Sequence, residues 1–563
     1  MILDGMKNIS LKANNMQEKE YDYIIIGSGF GGSVAALRLT QKGYRVAVIE
    51  MGRRFKPKDF PKSNWDSRRY LWMPLLGWRG ILRFDIFRHL IALRGTGFGG
   101  GSLVYGNTLI RPQNEFFEKG FGAKLNSKNS FIEYYKLAEK MMGVVKNPRM
   151  FAGDEMLKKT AEQIGRGATF EPSPVGVNFP ENILDESNSP SGDPYFFGEG
   201  PDRRNCNFCG GCFTGCRYLA KNSLDYNYLF FAEKFGAKII TDTIVTDIIP
   251  LDSDGSDGYE IKGKSTLLFS NHKELFKAKG VIVSTGVIGT MNLLLRQKEK
   301  NLPNLSGALG RNVGTNSETL LGVRCGMKKD FSRGVSASSS AWPDDITQIQ
   351  GDRYAKGSNL LSLLSTLLAP TDEKGFRIFR VFKHILLNPI KFLRLINPIG
   401  FAKETMILVV MQKVSSHVTM KLKQNFLFGK YVSLVLQSGD KLTTSIPSGN
   451  DFARKLADNT NGIAARSWTE ALFEVPVTAH ILGGALMSDD PEQGVVDMQN
   501  RVFGYKNFYI CDGSNIGENL GVNPALTILA LSERAMSFIP VKENRIRYLI
   551  AEKKWGTEYL LEA

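Results

Sequence analysis

An apolar run, Tyr21-Asp22-Tyr23-Ile24-Ile25-Ile26, opens directly into Gly27-Ser28-Gly29-Phe30-Gly31-Gly32, and this junction constrains the fold more than any other stretch. The run reads as a buried strand. The glycine segment satisfies G-x-G-x-x-G and leads into a stretch with Val34, Ala35, Leu37 and Leu39 at helical spacing, closed by Gly43. A second strand over residues 44–49 ends at Glu50. In such a strand–turn–helix unit Gly27 permits the tight turn, Gly29 lets the backbone approach a pyrophosphate, and Gly32 lets helix and strand pack closely. The helix N-terminus offers unpaired N–H groups to phosphate. Glu50, eighteen residues past Gly32, is spaced to accept from a ribose hydroxyl, and an acid there disfavours NADP. A plain β-α-β turn would use the glycines alone; the flanking strand, helix and acid together point to a dinucleotide.

With 563 residues the chain exceeds the size of one hydrophobic core, so two domains are expected. A net charge of +16 suits nucleic acid, an anionic membrane or an acidic substrate. No zinc finger, RNA-binding signature or long Lys/Arg run is present, so a nucleic-acid partner is not expected. Six cysteines in so long a chain are no disulfide framework. The polar first twenty residues lack the apolar core of a secretory signal, and no charge-free stretch is long enough to span a bilayer. A reducing, cytoplasmic setting is expected.

Two further stretches narrow the reading. Residues 95–107 read GTGFGGGSLVYGN, and residues 475–535 contain TAHILGGA, NFYICDGSNIG and GVNPALTILALSERA. With the N-terminal motif, and in this order, they resemble the glucose–methanol–choline (GMC) FAD oxidoreductases, in their cholesterol-oxidase-like branch, over about residues 20–535. The resemblance implies an α/β plus α+β fold: a Rossmann-like FAD-binding domain with a discontinuous substrate domain containing an antiparallel sheet. The FAD domain would comprise residues 20–110, 205–320 and 475–540, and the substrate domain residues 111–204 and 321–474. Gly100, Gly101, Ser102 and Asn107 would line the flavin and its ribityl chain. Val245, on a strand over residues 237–245, would present its backbone to adenine, a strand over 281–285 would run beneath the cofactor, and Asp512 and Gly513 would meet its ribityl and pyrophosphate part. Three consecutive glycines, 99–101, suit close approach to a flat ring.

The same resemblance makes His480 the proton acceptor and Asn523 the residue that orients the hydroxyl of a hydrophobic alcohol, a sterol above all, with oxygen or a separate electron acceptor completing turnover. Histidine suits the role because its free pKa lies nearest neutrality. Sterol oxidases also carry a pocket glutamate; the comparable stretch, residues 406–412, offers Gln412 and no acid, with Glu404 nearby, and Ala525 stands where some relatives have an aromatic.

Cys206, Cys209, Cys212 and Cys216 have the spacing of a bacterial ferredoxin run, although Arg217 replaces the usual proline. An iron–sulfur cluster, a structural zinc, and reduced or bridged thiols all suit the pattern. A cluster would make the chain a membrane-associated flavoprotein dehydrogenase rather than an oxidase; a non-catalytic electron-carrying flavoprotein is a further alternative. Residues 376–396 alternate Phe, Ile and Leu with five Lys/Arg and no acid, broken at Pro389. This reads as an interfacial amphipathic helix for peripheral membrane contact, against the alternative of a core helix with a solvated basic edge. Residues 70–93, with Trp72, Trp78 and Phe84 among arginines, read as a second such segment. The last twenty residues read as helical and peripheral.

Overall fold

A computed structural model describes residues 19–543, apart from 130, 371–375, 426–428, 437–441 and 443. The N-terminal twenty residues lie almost wholly outside the described part, and the C-terminal twenty entirely so.

The opening strand, Lys19–Ile26, pairs in parallel with Val46–Ile49 on one side and with Lys273–Val283 on the other. Three consecutive isoleucines are fully or almost fully buried because this strand is covered on both faces. Lys238–Ile240 extends the sheet in parallel beyond Val46–Ile49, Phe508–Ile510 joins Lys273–Val283 in parallel, and an antiparallel meander of Thr243–Pro250 and Tyr259–Ser265 completes it. The single strand expected over 237–245 is two strands: Asp242 adopts a left-handed φ of 58°, and the chain turns out of register before Thr243.

Helix Phe30–Gln41 packs on helix Ala525–Ser537. Between them lies a buried two-pronged ion pair, Arg38 Nε to Glu533 Oε2 at 2.7 Å and Nη2 to Oε1 at 2.8 Å, with the Tyr228 hydroxyl donating to the same carboxylate. Breaking such a buried pair costs about 3–5 kcal/mol. The glycine turn at one helix end is thereby held in register with the Asn523 loop at the other.

The second large sheet is antiparallel throughout, in the order Ser365–Leu367, Ile463–Ser467, Thr319–Arg324, Thr405–Gln412, Thr347–Asp352, Ala337–Ala341, Glu171–Pro172. Its period-two alternation divides the faces. Met406, Leu408 and Val410 pack with Leu321, Val323 and Ile349 against helices Ala152–Gln163 and Pro447–Asn459. Thr405, Ile407 and Val409 point the other way, into a cavity between the two sheets. The fold is thus α/β plus α+β, with a Rossmann-like unit and a separate antiparallel sheet.

Residues 70–93 are not helical beyond two short turns, Ser67–Tyr70 and the 3-10 turn Pro74–Leu76. They form the strand pairs Trp72–Met73 with Trp78–Arg79 and Leu82–Phe87 with Leu90–Gly95, and Trp72 is buried. Phe84 and Ile86, two apart, share one exposed face, which is strand periodicity. Residues 376–396 are helical: Arg377–Leu387 and Pro389–Ile396, interrupted at Asn388, where the following proline breaks the ladder. Among the described residues no helix is long and apolar enough to cross a membrane.

Candidate active site

The cavity between the sheets measures about 1550 Å³. Pockets for one small molecule measure roughly 300–1,000 Å³, so this one has room for a dinucleotide and a second ligand. Gly27, Gly29, Glu50, Gly100, Gly101, Val245, Asp512 and Gly513 line one part of it, and His480 and Asn523 another.

At the nucleotide end the glycines divide by cause. Gly27 has φ +98°, and a Cβ there would stand 2.3 Å from the Ser284 carbonyl oxygen. At Gly32 it would stand 2.0 Å from Gly27 O, and at Gly31 1.7 Å from Cys511 O. These three are required by backbone packing. Gly29 is different: no protein atom lies within 4 Å of its Cβ position, which faces the cavity. Helix Phe30–Gln41 has no side-chain cap, so its first N–H groups are left for a ligand in the cavity. An open position that needs no glycine for the fold, beside uncapped N–H groups, is what a pyrophosphate requires, and these residues fit FAD. Glu50 is buried, which raises its carboxyl pKa, while Ser28 Oγ (2.6 Å), Ser28 N and Gly52 N donate to it. Asp512, likewise raised by burial, accepts from Thr290 Oγ1 and from Ser514 N and Oγ.

Ser102 and Asn107 do not reach the cavity wall, contrary to expectation. The Ser102 hydroxyl closes its own turn by donating to Gly99 O at 2.7 Å and accepts from Leu224 N. Asn107, fully buried in a left-handed conformation, accepts from Gly176 N through its backbone.

His480 follows the short strand Val477–Thr478, which pairs with Ile91 and Ala92. Gly483 and Gly484, both with positive φ, turn the chain so that Gly483 N donates to Gly513 O and Ala485 N to Ser514 O. The imidazole is thereby held at the cavity wall. Its Nε2 lies 3.3 Å from Asn523 Nδ2. Its Nδ1 lies 2.6 Å from Glu318 Oε2. Glu318 is a residue that sequence reasoning missed: it lies 162 residues away, and no local pattern marks it. Burial raises the Glu318 carboxyl pKa, but the facing imidazole and hydrogen bonds from Thr478 and Ala479 outweigh this and hold it below the usual range.

Asn523 Nδ2 also donates to Gln350 Oε1 at 3.4 Å, leaving Asn523 Oδ1 and Gln350 Nε2 buried without a protein partner. The sheet residue facing Asn523 is therefore the amide Gln350. Gln412 donates instead to Thr347 Oγ1, and Glu404 pairs with Arg324; neither lines the cavity. Two residues from Gln350, on the same strand face, Asp352 is buried with Oδ1 unpartnered, and burial together with the charge of Glu318 raises its carboxyl pKa well above the usual range. Around these groups Leu320, Ile407, Val409, Phe401 and Trp468 make the wall apolar.

The four clustered cysteines lie in one small region of the fold. All are unbridged, and Cys206, Cys212 and Cys216 pack with Val175, Phe208 and Val335 in a small apolar core. Among the described residues no group of three or more His, Cys, Asp or Glu side chains is arranged to hold a metal ion. Cys206, Cys209, Cys212 and Cys216, the expected metal ligands, thus form no such group among the described residues, and three of them pack in an apolar core. Burial raises the thiol pKa of Cys206 and pushes that of Cys209 up to about 12, which disfavours the thiolate.

Residues 440–532 match the family model for GMC oxidoreductases, and residues 25–55 that for NAD(P)-binding Rossmann-like domains. A cholesterol oxidase of Acinetobacter baumannii is 47% identical, covering 93% of this chain and 95% of its own. One from Mycobacterium tuberculosis is 40% identical, covering 93% and 92%. A long-chain-alcohol oxidase of Arabidopsis thaliana is 24% identical over 98% of this chain and 70% of its own. Among solved structures, formate oxidase (TM-score 0.57, 15% identity, 92% of this chain and 98% of that one) and pyridoxine 4-oxidase (0.56, 14%, the same coverage) share the fold. Sequence identity of this order across nearly the whole of both chains, on this fold, makes the chain a member of the glucose–methanol–choline oxidoreductase family, in its cholesterol-oxidase-like branch.

Proposed function

We propose that this FAD-dependent alcohol oxidase oxidises the secondary hydroxyl of a sterol, or of a comparably bulky apolar alcohol, with oxygen as final acceptor. The observation that carries the reading is His480 Nε2 beside Asn523 in an otherwise apolar wall. Bound FAD, held by the Gly27–Gly32 turn, the Gly100–Gly101 backbone and the Asp512 loop, supplies the hydride acceptor. His480 accepts the hydroxyl proton at Nε2 as the carbinol carbon gives up its hydride. Asn523, whose Oδ1 lacks a protein partner, orients the hydroxyl. The apolar walls exclude water, and the sterol choice rests on the two cholesterol oxidases that share most of this chain's length. On this reading the cofactor domain comprises residues 20–110, 205–320 and 475–540, and the substrate domain residues 111–204 and 321–474.

We also propose peripheral membrane contact from the cytoplasmic side. Of helices Arg377–Leu387 and Pro389–Ile396, only Val381 and Leu395 are buried. Phe379 is 73% exposed, Leu386 78% and Ile390 81%, which disfavours a core helix pair. Leu395, on the inner side of the same helix, lines the cavity, as do the exposed Phe84 and Ile86 of the Leu82–Phe87 hairpin strand. The apolar surface therefore continues into the substrate cavity. Two of the five basic residues also serve the fold: Arg377 donates to Ala471 O and Arg394 to Cys325 O.

Adding a 3β-hydroxysterol to the holoenzyme without oxygen should bleach the flavin band near ~450 nm, and admitting air should restore it. A flavin that stays oxidised with sterols and long-chain alcohols alike would refute the reading.

A further inference from the structure

We propose that Glu318 is the positioning residue of the site: it locks His480 in the tautomer that carries its proton on Nδ1 and leaves Nε2 free to take the substrate's proton. The inference rests on the role proposed for His480. Three contacts determine the tautomer. Glu318 Oε2 lies 2.6 Å from Nδ1, and a carboxylate can only accept there, so Nδ1 must donate. On the opposite side of the ring the Asn523 amide nitrogen, which can only donate, stands 3.3 Å from Nε2. Glu318 Oε1 accepts the backbone N–H of Ala479 at 2.5 Å, one residue before the histidine, which fixes the carboxylate relative to the ring it orients.

That backbone contact also explains why the residue is an acid and not its amide. The Ala479 N–H cannot be turned into an acceptor, so a glutamine at 318 must place its single oxygen against Ala479. Its NH2 group then faces Nδ1 and donates to it. The proton moves to Nε2, and the nitrogen that faces the substrate no longer accepts one. Glu318 is 3% exposed, so the side chain at 318 is held against these two partners. In the proposed step the hydroxyl proton passes to Nε2, and bound FAD would supply the hydride acceptor. The imidazolium so formed is paired at once with the buried carboxylate. Gln350 and Asn523 add no charge, and the carboxylate in direct contact with the ring, at 2.6 Å, is that of Glu318.

The test reads the tautomer directly. Holoenzyme labelled with 15N in histidine gives separate Nδ1 and Nε2 resonances, and His480 is assigned by comparison with His480→Gln. We expect a protonated Nδ1 and an unprotonated Nε2 for the neutral ring of the parent protein, and the reverse in Glu318→Gln. Anaerobic flavin reduction by sterol should slow by roughly 10²–10⁴-fold in that variant, the range for loss of a positioned base, with FAD content unchanged. Glu318→Asp, which keeps the acid at shorter reach, should retain the parent tautomer and recover part of the rate. A parent spectrum with the proton on Nε2 overturns the proposal without any variant, as does Glu318→Gln with the parent tautomer. Failure of His480→Gln to slow flavin reduction would instead remove the catalytic reading while leaving the tautomer result standing.

Discussion

Replacing Gly29 and Gly27 by alanine separates a glycine demanded by a ligand from one demanded by the chain. Gly29 has φ −71° and ψ −164°, extended values open to alanine, and its Cβ position meets no protein atom within 4 Å. Gly29→Ala should leave the apoprotein as stable as its parent, or more stable by about 0.4–1 kcal/mol because the unfolded chain loses freedom. Its methyl projects into the cavity where the pyrophosphate must come close, so FAD affinity should fall by at least about tenfold, or ~1.4 kcal/mol. Gly27→Ala has the opposite profile. A left-handed φ of +98° costs alanine roughly 1–2 kcal/mol. The Cβ would also stand 2.3 Å from a backbone oxygen in the central sheet, which neither side can vacate cheaply. A destabilisation of about 3 kcal/mol or more is expected, near the upper end for single substitutions. Denaturant unfolding of the apoprotein and titration with FAD, followed by flavin fluorescence, measure the two effects separately. Parental FAD affinity in Gly29→Ala, or apoprotein destabilised as much as in Gly27→Ala, would refute the assignment of the cavity to the dinucleotide.

Two further outcomes follow from the site and its surroundings. His480→Ala should retain FAD, since no part of the glycine turn depends on it, while stopped-flow flavin reduction slows by about 10²–10⁴-fold; a rate within threefold of the parent would exclude the histidine as base. Phe379→Asp, Leu386→Asp and Ile390→Asp combined should abolish sedimentation with anionic, sterol-containing vesicles yet preserve turnover of detergent-dispersed sterol, because these side chains lie outside the core; undiminished vesicle binding would refute the docking surface.

The parts of the site that could be read from the chain are those made by neighbouring residues. The Gly27–Gly32 turn and its flanking strand and helix carry their periodicity within some thirty residues, and His480 and Asn523 each sit in a short glycine-containing segment. Contacts made at long range left no such trace. Gln350 reaches Asn523 across 173 positions, whereas the stretch that the resemblance matches to the pocket glutamate ends at Gln412, on the neighbouring strand of the same sheet. Spacing is a weaker guide. Four cysteines within eleven residues have metal-ligand intervals, but an interval limits only how close thiols can come; among the described residues they form no metal-holding group, and three of them pack in an apolar core. In residues 70–93, aromatic and basic residues mixed at short intervals suited a helix until the pairing of Leu82–Phe87 with Leu90–Gly95 imposed a period of two.

By itself, then, the amino-acid order determined that a dinucleotide unit forms, that a histidine and an asparagine follow in family order, and that residues 376–396 make a broken amphipathic helix. Tertiary structure alone decided that the apolar side of that helix is left uncovered, that Ser102 turns inward, and that a carboxylate from the opposite sheet meets the imidazole. The reason is range: hydrogen-bond ladders and side-chain periodicity act over a few residues, whereas the partner of a buried proton is chosen by how whole sheets dock.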